Sequence, residues 1–275
     1  MKNIFTAIIF LTFSKSFVLF SQTAEEYIQT GDEKAERNER ESAIIDYSKA
    51  IKKNPNCAEA YYRRGIVRAE SSGLYAEANS DYTKAIKLNA NYHEAYFSRG
   101  KLNGIYNNYI GAINDLTKAI NLNPEDNDEY YYFRGLYKEY NKDHIGAIND
   151  LTKAINLNHK NSIYYRVRAD AKQNLFDYRG AIDDLSIAIE LYPNDEFGTD
   201  YQSRGYAKLQ IEDYKGAIDD FTKVIEIEPK LSLPFYNRGI AKLNLDQKDS
   251  GCLDISKAGE LGYKQAYDLI KKYCQ

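Results

Sequence analysis

Arginine and aspartate recur together along this chain in a pattern that suggests paired charges. Arg64, Arg99, Arg134, Arg168, Arg204 and Arg238 are matched by Asp81, Asp115, Asp150, Asp184, Asp220 and Asp254, 17 residues on in the first pair and 16 in the rest. A planar guanidinium can hold a carboxylate through two parallel hydrogen bonds, so the two series suggest a ladder of ion pairs, within repeating units or between them. The other reading is two independently solvated stripes. Partly buried pairs lose much of their Coulomb gain to desolvation, so the expected role of a ladder is to fix register. The cysteines, Cys57, Cys252 and Cys274, are odd in number and show neither a CxxC nor a Cys/His spacing suited to zinc. His93, His144 and His159 stand far apart, and His144 takes the place held elsewhere by Tyr109, Tyr178 and Tyr214, which reads as an aromatic filler. No nucleophile–base set, phosphate-cradling glycine loop or gathered pair of carboxylates is visible. The expectation is a non-enzyme with no metal and no cofactor.

Composition narrows the class further. The chain has 275 residues, 43% hydrophobic and 28% charged, with a formal charge of -3, and its mean hydropathy is -0.62. These figures exclude a polytopic membrane protein and a disordered chain. Lysine plus arginine at 37 against 40 acids, with no local basic cluster, leaves no excess to neutralise phosphates, so nucleic acid is not an expected partner. No linker-like tract divides the chain.

Residues 1–21 differ from the rest. Lys2 is followed by the apolar run Ile4 to Phe13, then Ser14-Lys15-Ser16, then Phe17 to Ser21. This has the order of a secretory signal peptide, with cleavage expected after Ser21 or, alternatively, after Ser16. The rival readings are a buried first helix and an uncleaved anchor; the second is disfavoured by Lys15 and by a span shorter than about 20 apolar residues. The expected location is exported, periplasmic or extracellular.

Behind this segment one unit repeats. Residues 110–123 and 145–158 both read IGAINDLTKAINLN, with looser copies from Arg40, Tyr75, Arg179 and Lys215. Each copy follows an aromatic and a small residue four apart: Tyr27/Gly31, Tyr61/Gly65, Tyr96/Gly100, Tyr131/Gly135, Tyr165/Ala169, Tyr201/Gly205 and Phe235/Gly239. Within a unit two stretches have helical apolar spacing around a polar turn such as Asn141-Lys142-Asp143, so each predicts two antiparallel helices, with Gly135 and Ala147 as a close-approach pair and Tyr131 and Leu151 beyond it. Pro55, Pro124, Pro193 and Pro229 follow the second helices, and where Ala90 and His159 replace them the helix ends are expected to be less firmly set. These features resemble the tetratricopeptide repeat family, over Ala24 to about Gly262. Tyrosine takes the place of the family's tryptophan, and arginine that of its usual leucine before the glycine.

The resemblance implies an all-α, right-handed α-solenoid of helix-turn-helix units at about 24–57, 58–92, 93–127, 128–161, 162–197, 198–231 and 232–262, forming a single domain over 22–275. Unit one, with Asp46 but Thr30 in the arginine's place, reads as an atypical end. Residues 264–273, with Ala266, Leu269 and Ile270 on one face, predict a capping helix over the last apolar edge. Antiparallel packing of that helix would bring Cys274 to Cys252, so an exported chain suggests a Cys252–Cys274 disulfide, the alternative being two buried thiols.

The resemblance also implies that the first helices line a concave groove that binds extended segments of a protein or peptide partner. Helical phase places Tyr62, Ile66, Phe97, Lys101, Tyr132, Leu136, Arg166, Asp170, Gln202, Tyr206, Tyr236 and Ile240 there, apolar and aromatic at both ends and polar around Arg166 and Asp170. Amphipathic aromatics suit recognition, although doublets such as Tyr61-Tyr62 also read as the way this repeat is built. The family's lysine/asparagine clamp for a terminal carboxylate is not matched. The expected function is a non-catalytic interaction scaffold, monomeric without ligand, with a self-associating envelope component and a glycan-binding solenoid as alternatives.

Overall fold

The computed structural model describes residues 22–123, 127–193 and 198–274. Residues 1–21, Pro124 and the expected cleavage sites at Ser16 and Ser21 lie outside the described residues. Within them the chain is all-helical, with no strand. Seven hairpins follow in order: α1 (Ala24–Glu36) with α2 (Arg40–Lys53), α3 (Ala58–Ala69) with α4 (Tyr75–Leu88), α5 (His93–Ile105) with α6 (Tyr109–Leu122), α7 (Asp128–Tyr140) with α8 (His144–Leu157), α9 (Ser162–Asn174) with α10 (Tyr178–Leu191), α11 (Thr199–Gln210) with α12 (Tyr214–Ile227), and α13 (Ser232–Asn244) with α14 (Lys248–Glu260). A last helix, α15 (Ala266–Tyr273), packs on α14. Each helix packs on its neighbours in sequence, and α1, α3, α5, α7 and α9 also meet in succession, as do α11 and α13. The first helices thus crowd the inner side of the stack.

Local chemistry explains why each unit turns where it does. Asn108, Asp143, Asp177 and Asp213 cap second helices by accepting from the backbone N–H of Gly111, Gly146, Gly180 and Gly216. A Cβ at Gly146 would lie 2.1 Å from the Asp143 carboxylate, so the cap and the glycine come as a pair. The helix ends at Asn89 and Asn158 are as well set as the one before Pro55, contrary to expectation. Asn54 and Asn89 have an extended backbone and Asn158 a similar one at φ -143° and ψ 87°, and their side-chain oxygens accept from the N–H two residues on, in Asn56, Asn91 and Lys160. This asparagine turn stops the helix whether proline follows or not. Inside a hairpin, Gly135 lets α7 close on α8, since a Cβ there would meet the Leu151 side chain at 2.9 Å.

The turn between the two helices of a unit puts one residue at positive φ: Asn38, Asn107, Lys142, Phe176, Glu212 and Asp246. Phe176 is the bulky aromatic of this set, at φ 61° and 78% exposed. A left-handed conformation is costly for such a side chain, whereas asparagine tolerates it. Phe176→Asn is therefore expected to stabilise the protein by about 1 kcal/mol, read as a rise in thermal midpoint by circular dichroism; an unchanged or lower midpoint would show that the Phe176–Tyr178 ring contact outweighs the backbone cost.

The arginines and aspartates do form a ladder, and it joins units as well as closing each one. Arg134 donates from Nε and Nη2 to Asp150 at 2.8 and 2.6 Å, and from Nη1 to Thr117 of the preceding unit at 3.3 Å. The same arrangement links Arg64 to Asp81 and Ser48, Arg99 to Asp115 and Thr83, Arg168 to Asp184 and Thr152, Arg204 to Asp220 and Ser186, and Arg238 to Asp254 and Thr222. Every one of these guanidinium groups also lies over the aromatic three residues before it, at 5.6 to 5.8 Å. A second cation completes most rungs: Arg68 on Asp81, and Lys138, Lys172, Lys208 and Lys242 on Asp150, Asp184, Asp220 and Asp254. In unit one Asp46 is held by Lys34 and Lys49. Burial pushes the Asp46 carboxyl up, but its two lysines outweigh that and hold it below the usual carboxylate range.

Candidate functional site

The twelve residues expected in the groove all fall on first helices, two per helix from α3 to α13 and four apart, so they project from one face of each. The structure divides them. Ile66, Phe97 and Lys101 line a cavity of about 260 Å³ between α3 and α5, together with Glu70, Tyr82 and Ser98. The Lys101 ammonium lies 5.2 Å from the Phe97 ring centre and 4.6 Å from that of Phe133. Gln202 and Tyr206 line a second cavity of about 190 Å³ with Gln173, Ser203, Leu233 and Asn237, reaching α9, α11 and α13. Tyr236 and Ile240 form one wall of a third, of about 550 Å³, whose other wall is α15.

The remaining five are used mainly by the stack. Tyr62 packs against Tyr92 and Tyr82, with ring centres 4.8 and 6.1 Å away. Tyr132 stacks on Tyr164 of the next unit at 4.9 Å and touches Phe133 at 4.9 Å, and Leu136 packs into the core around Leu116 and Tyr137. Burial raises the Tyr62, Tyr132 and Tyr236 phenols, so they stay neutral and present an O–H. Arg166 departs furthest from expectation. It forms a two-pronged ion pair with Asp200 in the first turn of α11, and Asp200 is 0% exposed. The guanidinium is an inter-unit strut, because a buried carboxylate needs its charge matched.

The middle of the groove is therefore anionic. Asp170 has no hydrogen bond or salt bridge among the described residues, and its side chain reaches solvent. Protein crowds it nonetheless: burial, then Glu139, pushes its carboxyl up to about 6, Arg166 opposes this and Asp200 adds to it. Glu139 is itself tied to His144 Nδ1 at 2.9 Å and to Asn174 Nδ2 at 2.7 Å. Helical phase marked none of Gln173, Ser203, Asn237 or Glu139. Gln173 is the most informative of these, since its side-chain nitrogen is buried without a hydrogen-bond partner beside the 190 Å³ cavity. A fourth cavity, of about 380 Å³, lies at the other end among Asp32, Glu36, Tyr47 and Arg63. Among the described residues no group of three His, Cys, Asp or Glu could hold a metal ion. The chemistry on offer along this face is recognition: half-exposed rings, amides and carboxylates such as that of Asp170.

Residues 31–72 match a family model described as TPR repeat, and residues 201–231 one described as tetratricopeptide repeat. A crystal structure of a tetratricopeptide repeat protein from Parabacteroides merdae is similar over 92% of this chain and 99% of its own, at 22% identity and a TM-score of 0.62. The chain folds as a tetratricopeptide-like solenoid. The solenoid is similar too to MamA, at 27% identity over 58% of this chain and 93% of that one with a TM-score of 0.56. A further similar structure is YrrB, described as a TPR protein with an unusual peptide-binding site, at 21% identity over 68% of this chain and 95% of that one with a TM-score of 0.62. No curated protein matches the sequence. At its far end the solenoid carries a disulfide between Cys252 and Cys274, with Cα atoms 5.6 Å apart, while Cys57 is free.

Proposed function

We propose that this chain is an exported, non-catalytic scaffold that holds an extended segment of a protein partner along the inner face of its first helices. The observation that carries this reading is the series of cavities along the first helices, lined by Phe97, Lys101, Gln202, Tyr206, Tyr236 and Ile240, the last of them closed by α15. Such a surface is preformed by the stack, so little ordering entropy is lost when a segment docks. The peptide-binding site ascribed to YrrB supports the same use of the fold. Export is supported by the character of residues 1–21 and by the Cys252–Cys274 bond, which persists in oxidising compartments. No helix among the described residues is long and apolar enough to cross a membrane.

Asp170 gives the segment a sign. A lysine or arginine placed over it gains from the ionised carboxylate and draws the carboxyl pKa down from about 6. Affinity is then full above that pH and falls as pH drops from 7 to 5, because the unoccupied carboxyl takes up a proton that the bound cation must displace. The test is a peptide array probed with the chain lacking residues 1–21. Bound peptides should combine apolar or aromatic residues with a lysine or arginine. Tyr206→Ala should weaken the best peptide by about 2 kcal/mol with helicity unchanged, and Asp170→Asn should abolish the pH dependence. Unchanged affinity in both variants places the site elsewhere.

A second reading has its own observation. Ile105, Tyr106, Ile110, Tyr140 and Ile145 are exposed at the turns and second-helix starts of adjacent units, as an edge for self-association would be. Sedimentation against concentration separates the two, since a groove reader stays monomeric without its segment.

A further inference from the structure

The largest of these four cavities differs from the others in having a direction. Tyr236, Ile240, Leu243 and Asn244 follow one another along α13, over about 12 Å of helix. Opposite them stand Leu269, Lys272 and Tyr273 of α15. The disulfide joins Cys274, at the end of α15, to Cys252, near the start of α14, so α15 runs back along α14 and parallel to α13. The two walls therefore end together. At that shared end the lining changes from apolar to polar: Asn244 and Asp246 of the turn, Lys248 at the start of α14, and Lys272. Neither lysine forms a salt bridge among the described residues, and the Lys272 ammonium rests 4.7 Å from the Tyr273 ring centre, along the wall. The result is a cleft of about 550 Å³ with an aliphatic length and an end lined by Lys248, Lys272 and Asp246. That volume lies in the range of small-molecule sites, roughly 300–1,000 Å³. In a chain whose net charge is -3 the two unpaired cations at one end of an apolar cleft stand out.

We propose that the cleft between α13 and α15 binds a free alkyl carboxylate, its chain along Ile240, Leu243 and Leu269 and its carboxylate at the rim between Lys248 and Lys272. Apolar burial holds the chain, and charge sets its direction. The cleft crosses the inner face along the axis of α13, so a ligand here lies across the path of a segment running from unit to unit. The disulfide pins the end of the wall that carries Lys272, so the rim depends on it. The cleft is one of the cavities that the groove reading also uses, but the two fail separately: loss of decanoate binding leaves the cavities along α3, α5 and α11 to the segment, and loss of segment binding leaves the cleft.

The probe is decanoate, titrated calorimetrically below its micelle concentration into the oxidised chain lacking residues 1–21. Binding at one site is expected. Decan-1-ol, with the same chain and no charge, should bind at least about tenfold more weakly, and so should decanoate to the double variant Lys248→Gln/Lys272→Gln, since two partly exposed ion pairs together contribute about 1.4 kcal/mol or more. Both lysines are on the surface, so this variant keeps its fold, which circular dichroism checks. Ile240→Asn should weaken acid and alcohol alike. Equal affinity for acid and alcohol, an unaffected double variant, or many weak sites would each overturn the proposal. So would a peptide ending in leucine that displaced decanoate while binding more tightly, because the cleft would then be a peptide site.

Discussion

Arg99→Met is expected to destabilise the protein by about 3–4 kcal/mol, and Arg168→Met by about 2 kcal/mol, although the two arginines make the same contacts. Arg99 holds Asp115 through Nε and Nη2 at 2.8 and 2.7 Å and reaches Thr83 of the preceding unit at 3.0 Å. Arg168 holds Asp184 at 2.9 and 2.6 Å and reaches Thr152 at 3.0 Å. Their aspartates are both buried, and a buried carboxylate that loses its cation is costly. The difference lies in what remains. Asp184 keeps Lys172 at 2.7 Å, whereas the corresponding residue in unit three is Asn103, which offers Asp115 a neutral amide at 3.1 Å. Urea unfolding followed by circular dichroism measures both. Equal losses would show that the lysine rung contributes nothing. The double variant Arg99→Met/Asp115→Leu should recover much of the loss, because it removes the stranded charge together with its partner. If it recovers none, the ladder supplies net stability and its role is more than register.

The repeat itself was plain in the sequence, because an aromatic and a small residue four apart recur in step with an Ala-rich second stretch. Such spacing fixes which helix faces meet, and the hairpins pack in chain order as that requires. The arginine–aspartate pairing was also visible, since both series keep one distance. What completes each rung is not visible from residues paired two at a time. The serine or threonine two places after each aspartate, as in Asp150 and Thr152, receives the arginine of the following unit. The lysine three places after the small residue, as in Gly135 and Lys138, reaches the same aspartate. Both signals were present at fixed phase, but their partners become neighbours only once the hairpin and the stack are built.

The site was less legible for a related reason. Helical phase assigns a face and says nothing about what the next unit places against it. Tyr132 points inward as expected and is then covered by Tyr164. Arg166 is claimed by Asp200, 34 residues on, which changes the sign of the groove centre from mixed to negative. The proton affinity of Asp170 follows from that second event and from Glu139, neither of which is local in sequence. In a stack where every unit leans on the next, faces are encoded within a unit, whereas charge and cavities arise between units.

The end of the stack offers the other large effect. A chain cut after Gly262 is expected to associate with rising concentration and to lose the structure of its last unit, because α15 is what covers Ile255, Ala258, Phe235, Tyr236 and Leu243. Only eight residues long, α15 is too short to hold its own helix in water and depends on this packing and on the disulfide. The bond closes a separation of 22 residues, and a loop of that size restricts the unfolded chain by about 3 kcal/mol. Cys252→Ser/Cys274→Ser should therefore raise amide exchange across residues 266–273 by roughly a hundredfold. Exchange in α1 to α10 should stay unchanged, since the contacts that hold each hairpin run to the adjoining units. The double serine variant keeps the apolar cover in place part of the time, so it should remain soluble where the shortened chain does not. If the shortened chain stays monomeric with the full thermal midpoint, α15 is no cap; if exchange rises along the whole stack, the solenoid unfolds as one unit and the local account of its end is wrong.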